Sequence, residues 1–214
     1  MIGWPEMKVF EWIPNRSIGD LVFNMTREET RKAMGNGVYT TWFNGRSDYY
    51  DEYSVRLDFD ENGLLESVEF LGMEKGFFEV WYNGKLIYPK YEKLFFRIFD
   101  KSRFTPDETA TSSYQCNELN IAVIWSKDDG PTCLVAREHY LDEADAMLKE
   151  HSVLRNLSFK LKPGMSREET REILKEKSDK LAVRGCSDIY AGYLLVRFDE
   201  NDNMVFTKFD FDGM

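Results

Sequence analysis

The residues with the best claim to chemistry lie between Asp58 and Glu69. The run Asp58-Phe59-Asp60-Glu61-Asn62-Gly63-Leu64-Leu65-Glu66-Ser67-Val68-Glu69 has oxygen ligands at the first, third and fifth places of a calcium loop, glycine at the sixth and glutamate at the twelfth. An EF-hand needs a helix on each side, yet Tyr53, Val55, Leu57 and Phe59 alternate with polar residues, which is the period of a strand. A similar segment, Phe198-Asp199-Glu200-Asn201, is preceded by Arg197 where Asp58 stands. A hairpin turn is therefore expected, with no metal and no other cofactor.

Other constellations are sparser. His139 and His151 are the two histidines, and no Cys or carboxylate accompanies them at zinc spacing, so helix-end or surface positions are expected. No Gly-x-Ser-x-Gly elbow occurs, and Cys133 and His139 have no spacing that pairs them for catalysis. Met34-Gly35-Asn36-Gly37 reads as a helix stop; a phosphate loop would need a helix with basic residues after it. Paired carboxylates are abundant, but abundance follows from acidity. The chain is expected to be no enzyme.

Acidity shapes the choice of partner. In 214 residues, 28 Lys and Arg face 38 Asp and Glu, a formal net charge of −10. Nucleic acids and anionic membranes are bound through cationic contacts, so neither is expected, and a basic protein such as a toxin domain is. The N-terminus lacks the basic and apolar regions of a signal peptide, and no apolar run approaches the ~18 residues that span a bilayer. Cys116, Cys133 and Cys186 are too widely spaced for a disulfide framework or a ligand set, so buried free thiols in a reducing cytoplasm are expected.

Aromatic residues interleaved with acids supply the candidate partner-binding surface. Trp42 with Tyr49, Tyr50, Asp51 and Glu52 is the densest group; Trp81 flanks one hairpin, and Trp125 with Asp128 and Asp129 another. Tyr and Trp give large contact area at small entropic cost, and carboxylates around them steer a cationic partner. Tyr49, Tyr50, Asp51 and Glu52 lie in a polar stretch and are expected to be exposed. For the three tryptophans, a place in the sheet core competes with the interface role.

The elements that must hold these residues come from a duplicated stretch. Met25-Thr26-Arg27-Glu28-Glu29-Thr30-Arg31 returns as Met165-Ser166-Arg167-Glu168-Glu169-Thr170-Arg171, an offset of 165 − 25 = 140 residues. Thr26 with Glu29, and Ser166 with Glu169, form capping boxes, and the glutamates favour the positive end of a helix dipole. Helices are predicted over 26–34 and 166–177, each followed by strand-like runs joined by the Phe-Asp-Glu-Asn turn. Leu157, Phe159 and Leu161 alternate before the second helix, and 142–151 reads as a short connecting helix. Half the offset points to a worn middle copy, with a helix over 91–99 and strands over 118–125 and 132–136. The predicted organisation is an N-terminal strand or arm at 1–17 and repeats at 18–76, 77–151 and 152–214. The fold class is α+β: tandem helix-plus-antiparallel-meander repeats, with helices packed on curved antiparallel sheet.

Met-Ser/Thr-Arg-Glu-Glu followed by strands ending in Phe-Asp-Glu-Asn resembles the repeat of the β-lactamase-inhibitor-protein and BamE/SmpA-like α+β superfamily, over 21–71 and 159–211. The resemblance implies a helical layer on a curved antiparallel sheet that serves as a protein-binding surface. The chain departs from those families in having no export signal or lipidation cysteine, no paired cysteines in each repeat, and an additional copy. An immunity- or inhibitor-like module that masks a basic protein is the expected function; a small-molecule or peptide sensor with a pocket between repeats is the alternative.

Overall fold

The computed structural model describes residues 8–35, 37–42, 45–72, 78–87, 91–106, 112–126, 130–174, 181–190 and 194–209. In chain order the first half runs β1 (Lys8–Ile13), β2 (Ser17–Ile18), β3 (Leu21–Val22), α1 (Arg27–Met34), β4 (Thr40–Trp42), β5 (Ser47–Tyr50), β6 (Val55–Phe59) and β7 (Leu65–Phe70). It continues through β8 (Phe78–Tyr82), β9 (Lys85–Ile87), α2 (Glu92–Phe95), β10 (Thr105–Pro106), β11 (Ser113–Cys116), β12 (Ile121–Ser126) and β13 (Gly130–Ala136). Then come α3 (Tyr140–Ser158), α4 (Arg167–Leu174), β14 (Leu181–Arg184), β15 (Ser187–Tyr190), β16 (Leu194–Phe198) and β17 (Met204–Phe209). The fold is α+β, with sheets that are antiparallel except for the β1–β8 pair.

The chain divides into two compact units, 1–143 and 144–214, and the division falls inside the segment assigned to the middle repeat. Unit 1 holds a five-stranded sheet, β3-β2-β1-β8-β9, and an eight-stranded one, β10-β11-β12-β13-β7-β6-β5-β4. Their apolar faces share one core, in which the Phe70 ring lies 5.4 Å from Phe10 and 4.9 Å from Phe78. Strict alternation in β6 buries Val55, Leu57 and Phe59, as its sequence predicts. Unit 2 holds β14-β15-β16-β17, whose Tyr190, Leu194, Val196, Phe198 and Met204 form a core with Leu174 of α4 and Leu154 of α3.

Both predicted capping boxes form. The Thr26 amide donates to Glu29 Oε2 at 2.9 Å, and the Ser166 amide to Glu169 Oε2 at 2.8 Å. Each box fixes where its helix begins and so which residues of the first turn face the sheet.

Several expectations need correction. Within 1–17, read as a strand or arm, residues 8–13 are a strand: β1 is the middle strand of its sheet, parallel to β8 and paired with β2 on its other side. Leu157 lies within α3, which runs 19 residues to Ser158, and Phe159 and Leu161 follow the helix outside any strand. The predicted 91–99 helix is shorter, with α2 covering four residues, and its N-cap Tyr91 makes no side-chain cap bond. Cys116 and Cys133 are buried, but Cys186 is exposed because it falls in the turn between β14 and β15. Among the described residues, no helix is long and apolar enough to cross a membrane.

Candidate functional site

A buried carboxylate under each of two helices is the most distinctive polar feature. Alternation along β5 turns Asp48 and Tyr50 to the core face, beside their cross-strand partners Leu57 and Val55. Asp48 is 0% exposed. Arg27 and Arg31 lie one helical turn apart on α1, so both reach down to it. Arg31 Nε donates to Asp48 Oδ2 at 2.8 Å and Arg31 Nη2 to Oδ1 at 3.1 Å, while Arg27 Nη2 stands 3.3 Å from Oδ1. Unit 2 has matching contacts. Asp188 on β15 is 0% exposed and takes Arg171 Nε at 2.8 Å and Arg171 Nη2 at 3.1 Å, with Arg167 Nε at 3.0 Å and Nη2 at 2.5 Å. Burial alone would raise the Asp188 pKa, but the hydrogen bonds from Arg171 and Arg167 outweigh it and hold the group below the usual carboxylate range. A carboxylate committed to two guanidinium groups is a clasp of helix to sheet and a poor proton acceptor.

The sequence signal for this clasp was there to be read. Gly45-Arg46-Ser47-Asp48-Tyr49-Tyr50 and Gly185-Cys186-Ser187-Asp188-Ile189-Tyr190 stand at the same 140-residue offset, 185 − 45. The prediction of a polar connecting stretch at Tyr49 and Tyr50 hid them.

Beside the first clasp lies an open hollow of about 350 Å³, lined among the described residues by Arg27, Gly45, Arg46, Phe59, Asp60, Glu61 and Gly63. The Arg27 guanidinium sits 4.5 Å over the Phe59 ring, and its Nη1 donates to the Gly45 carbonyl at 2.5 Å. Its Nε and Nη2 are buried without an aligned hydrogen bond among the described residues, although Nη2 remains within ion-pair distance of Asp48.

The described residues among those predicted to bind a partner differ in burial. Tyr50 is a correction: it is 1% exposed, because it closes strand β5 and only the residues after it turn. Burial, reinforced by the Asp48 charge, pushes its hydroxyl pKa up to about 12. Asp51 and Glu52 are exposed in the β5–β6 turn, and Tyr49 is half-buried beside them. Trp81 is half-buried on β8 and its indole donates to Glu79 Oε2 at 2.9 Å. Trp125 packs against the unit 1 core, edge-on to Phe95 at 5.6 Å. Trp42 is placed by its backbone on β4 opposite Ser47. Asp128 and Asp129 lie outside the described residues.

The residues matching a calcium loop are occupied otherwise. Asp58 accepts from Ser47 Oγ, from Arg56 Nε at 3.1 Å and from Ser67 Oγ at 3.1 Å. Glu69 is held by Arg56 Nη1 at 2.9 Å, and Asp60 Oδ1 receives the Asn62 and Leu64 amides at 2.9 and 2.8 Å. Their flanks are the strands β6 and β7. Among the described residues, no group of three or more His, Cys, Asp and Glu is placed to hold a metal ion. Cys133 is buried, which with the nearby Glu69 charge pushes its thiol pKa up to about 12 and keeps it protonated. His139 is exposed at the start of α3, within 3.8 Å of Asp142. Compared with known proteins, the chain matches no family model, and it has no significant match among curated proteins or solved structures.

Proposed function

We propose that this chain is a non-enzymatic binding module, immunity- or inhibitor-like, that masks a basic protein. One observation carries the reading: the negative charge is concentrated in one unit. Residues 1–143 hold 16 Lys and Arg against 25 Asp and Glu, a net of −9, whereas residues 144–214 hold 12 against 13, a net of −1. Such a field steers a cationic partner to unit 1. The β5–β6 turn, with Asp51 and Glu52 exposed and Tyr49 beside them, is the contact point we favour. The clasps at Asp48 and Asp188 support a helix-plus-meander module shared by 18–76 and 152–214; a divergent copy over 77–151 rests on the sequence offset alone. The helix followed by a meander in both segments also supports the proposed kinship with the β-lactamase-inhibitor-protein and BamE/SmpA-like superfamily. Free thiols at all three cysteines support a reducing compartment, the cytoplasm.

The test is isolation of the partner from the native host, then titration of the purified pair. A 1:1 complex is expected whose affinity falls with added salt and drops about tenfold or more when Asp51 and Glu52 are both changed to Lys. Unchanged affinity after that reversal rules out this surface. The alternative, a small-molecule or peptide sensor, draws support from the hollow beside Arg27.

A further inference from the structure

The geometry points to a carboxylate-binding site in the hollow beside Arg27, for a small carboxylic acid or the carboxyl terminus of a peptide. It stands independently of the masking of a basic partner. Two turns, one in each unit, make the same contacts. In unit 2 the Arg167 amide donates to the Asp202 carbonyl at 2.8 Å; in unit 1 the Arg27 amide donates to the Gly63 carbonyl at 3.2 Å. Asp199 Oδ1 receives the Asn201 and Asn203 amides, as Asp60 Oδ1 receives those of Asn62 and Leu64. Gly63 and Asp202 are thus equivalent, both with positive φ, 76° and 57°.

Their side chains differ in one decisive way. The Asp202 carboxylate reaches Arg167 Nη1 at 3.1 Å, and all three nitrogens of that guanidinium have acceptors. Gly63 contributes no side chain, and a Cβ built there meets nothing within 4 Å. The space taken by a carboxylate in unit 2 is therefore the hollow of unit 1. Around it stand the Arg27 guanidinium and, as a second cation on the wall, Arg46. Asp60 and Glu61 on the same wall do not forbid an anion, because Asp199 and Glu200 flank Asp202 in the same way. Charges farther off in unit 1 are screened beyond about 10 Å at 0.1 M salt. The feature is not a bare helix N-terminus, since the Arg27 amide is already taken by Gly63.

Amide NMR titrations of the whole chain with sodium acetate, with N-acetyl-triglycine and with its C-terminal amide test this site. Both acids are expected to shift the Arg27, Gly45 and Gly63 signals saturably, with dissociation constants on the order of 10 mM or tighter, and the amide to leave them unmoved. Preference for acetate assigns a small acid as ligand, and preference for the tripeptide a chain terminus. Gly63→Asp supplies the carboxylate internally and should abolish both responses. The turn accepts it, as Asp202 demonstrates, and correct folding is read from the same spectra. Asp202→Gly should in turn create a second acetate response at Arg167 and Gly185. A linear, unsaturated response in the wild type, equal binding of the amide, or undiminished binding by Gly63→Asp overturns the assignment.

Discussion

Changing Asp188 to Asn tests the idea that a buried carboxylate ties α4 to its sheet. The substitution keeps the shape and one acceptor but removes the charge facing Arg167 and Arg171. Removing one partner of a buried ion pair costs about 3–5 kcal/mol. Here the Arg171 side chain is 41% exposed and that of Arg167 17%, so the freed cations recover part of their hydration. The expected loss is therefore roughly 2–3 kcal/mol at pH 7. All five tryptophans lie in unit 1, so intrinsic fluorescence does not report on this site. The assay is urea unfolding followed through the amide signals of Tyr190 and Val196. The pH dependence has a definite sign. The folded pKa of Asp188 is depressed, so its contribution is present above the unfolded value of about 3.9 and is lost as the pH falls through the folded one. The gap between wild type and variant should narrow from pH 7 to about pH 3. A loss under about 0.5 kcal/mol at pH 7, or a gap that acid leaves unchanged, refutes the clasp as a stabilising element.

Two smaller predictions concern groups whose burial is now known. Among the described residues the buried Tyr50 hydroxyl has no hydrogen-bond partner, so Tyr50→Phe should be neutral or stabilise by up to about 1 kcal/mol in urea unfolding; a loss above about 1 kcal/mol refutes it. A colorimetric disulfide reagent should modify one thiol quickly in the native protein, Cys186, and reach Cys116 and Cys133 only on unfolding; retention of that fast reaction in Cys186→Ser refutes the assignment.

Local chemistry was legible in the sequence by itself. The capping boxes at Thr26 and Ser166, the alternation of β6 and the Asp60 and Asp199 turns depend on residues a few positions apart, and each formed as the sequence predicts. The clasp was partly legible: the arginines sat in the recurring stretch, and a second pair of similar segments carried Asp48 and Asp188. Its burial was not, because a short polar run becomes a strand only when β4 and β6 pair on either side of it. Tyr50 went wrong for that reason. The place of β1 at the centre of a sheet depended on a parallel partner some seventy positions along the chain, 78 − 8 = 70 from Lys8 to Phe78. The hollow beside Arg27 was hidden most deeply. Gly63 reads as an ordinary turn glycine, and its missing side chain acquires meaning only against Asp202 reaching Arg167. Sequence settles what neighbours along the chain can satisfy among themselves; burial and unmet hydrogen bonds belong to groups that meet only when distant segments close over one another.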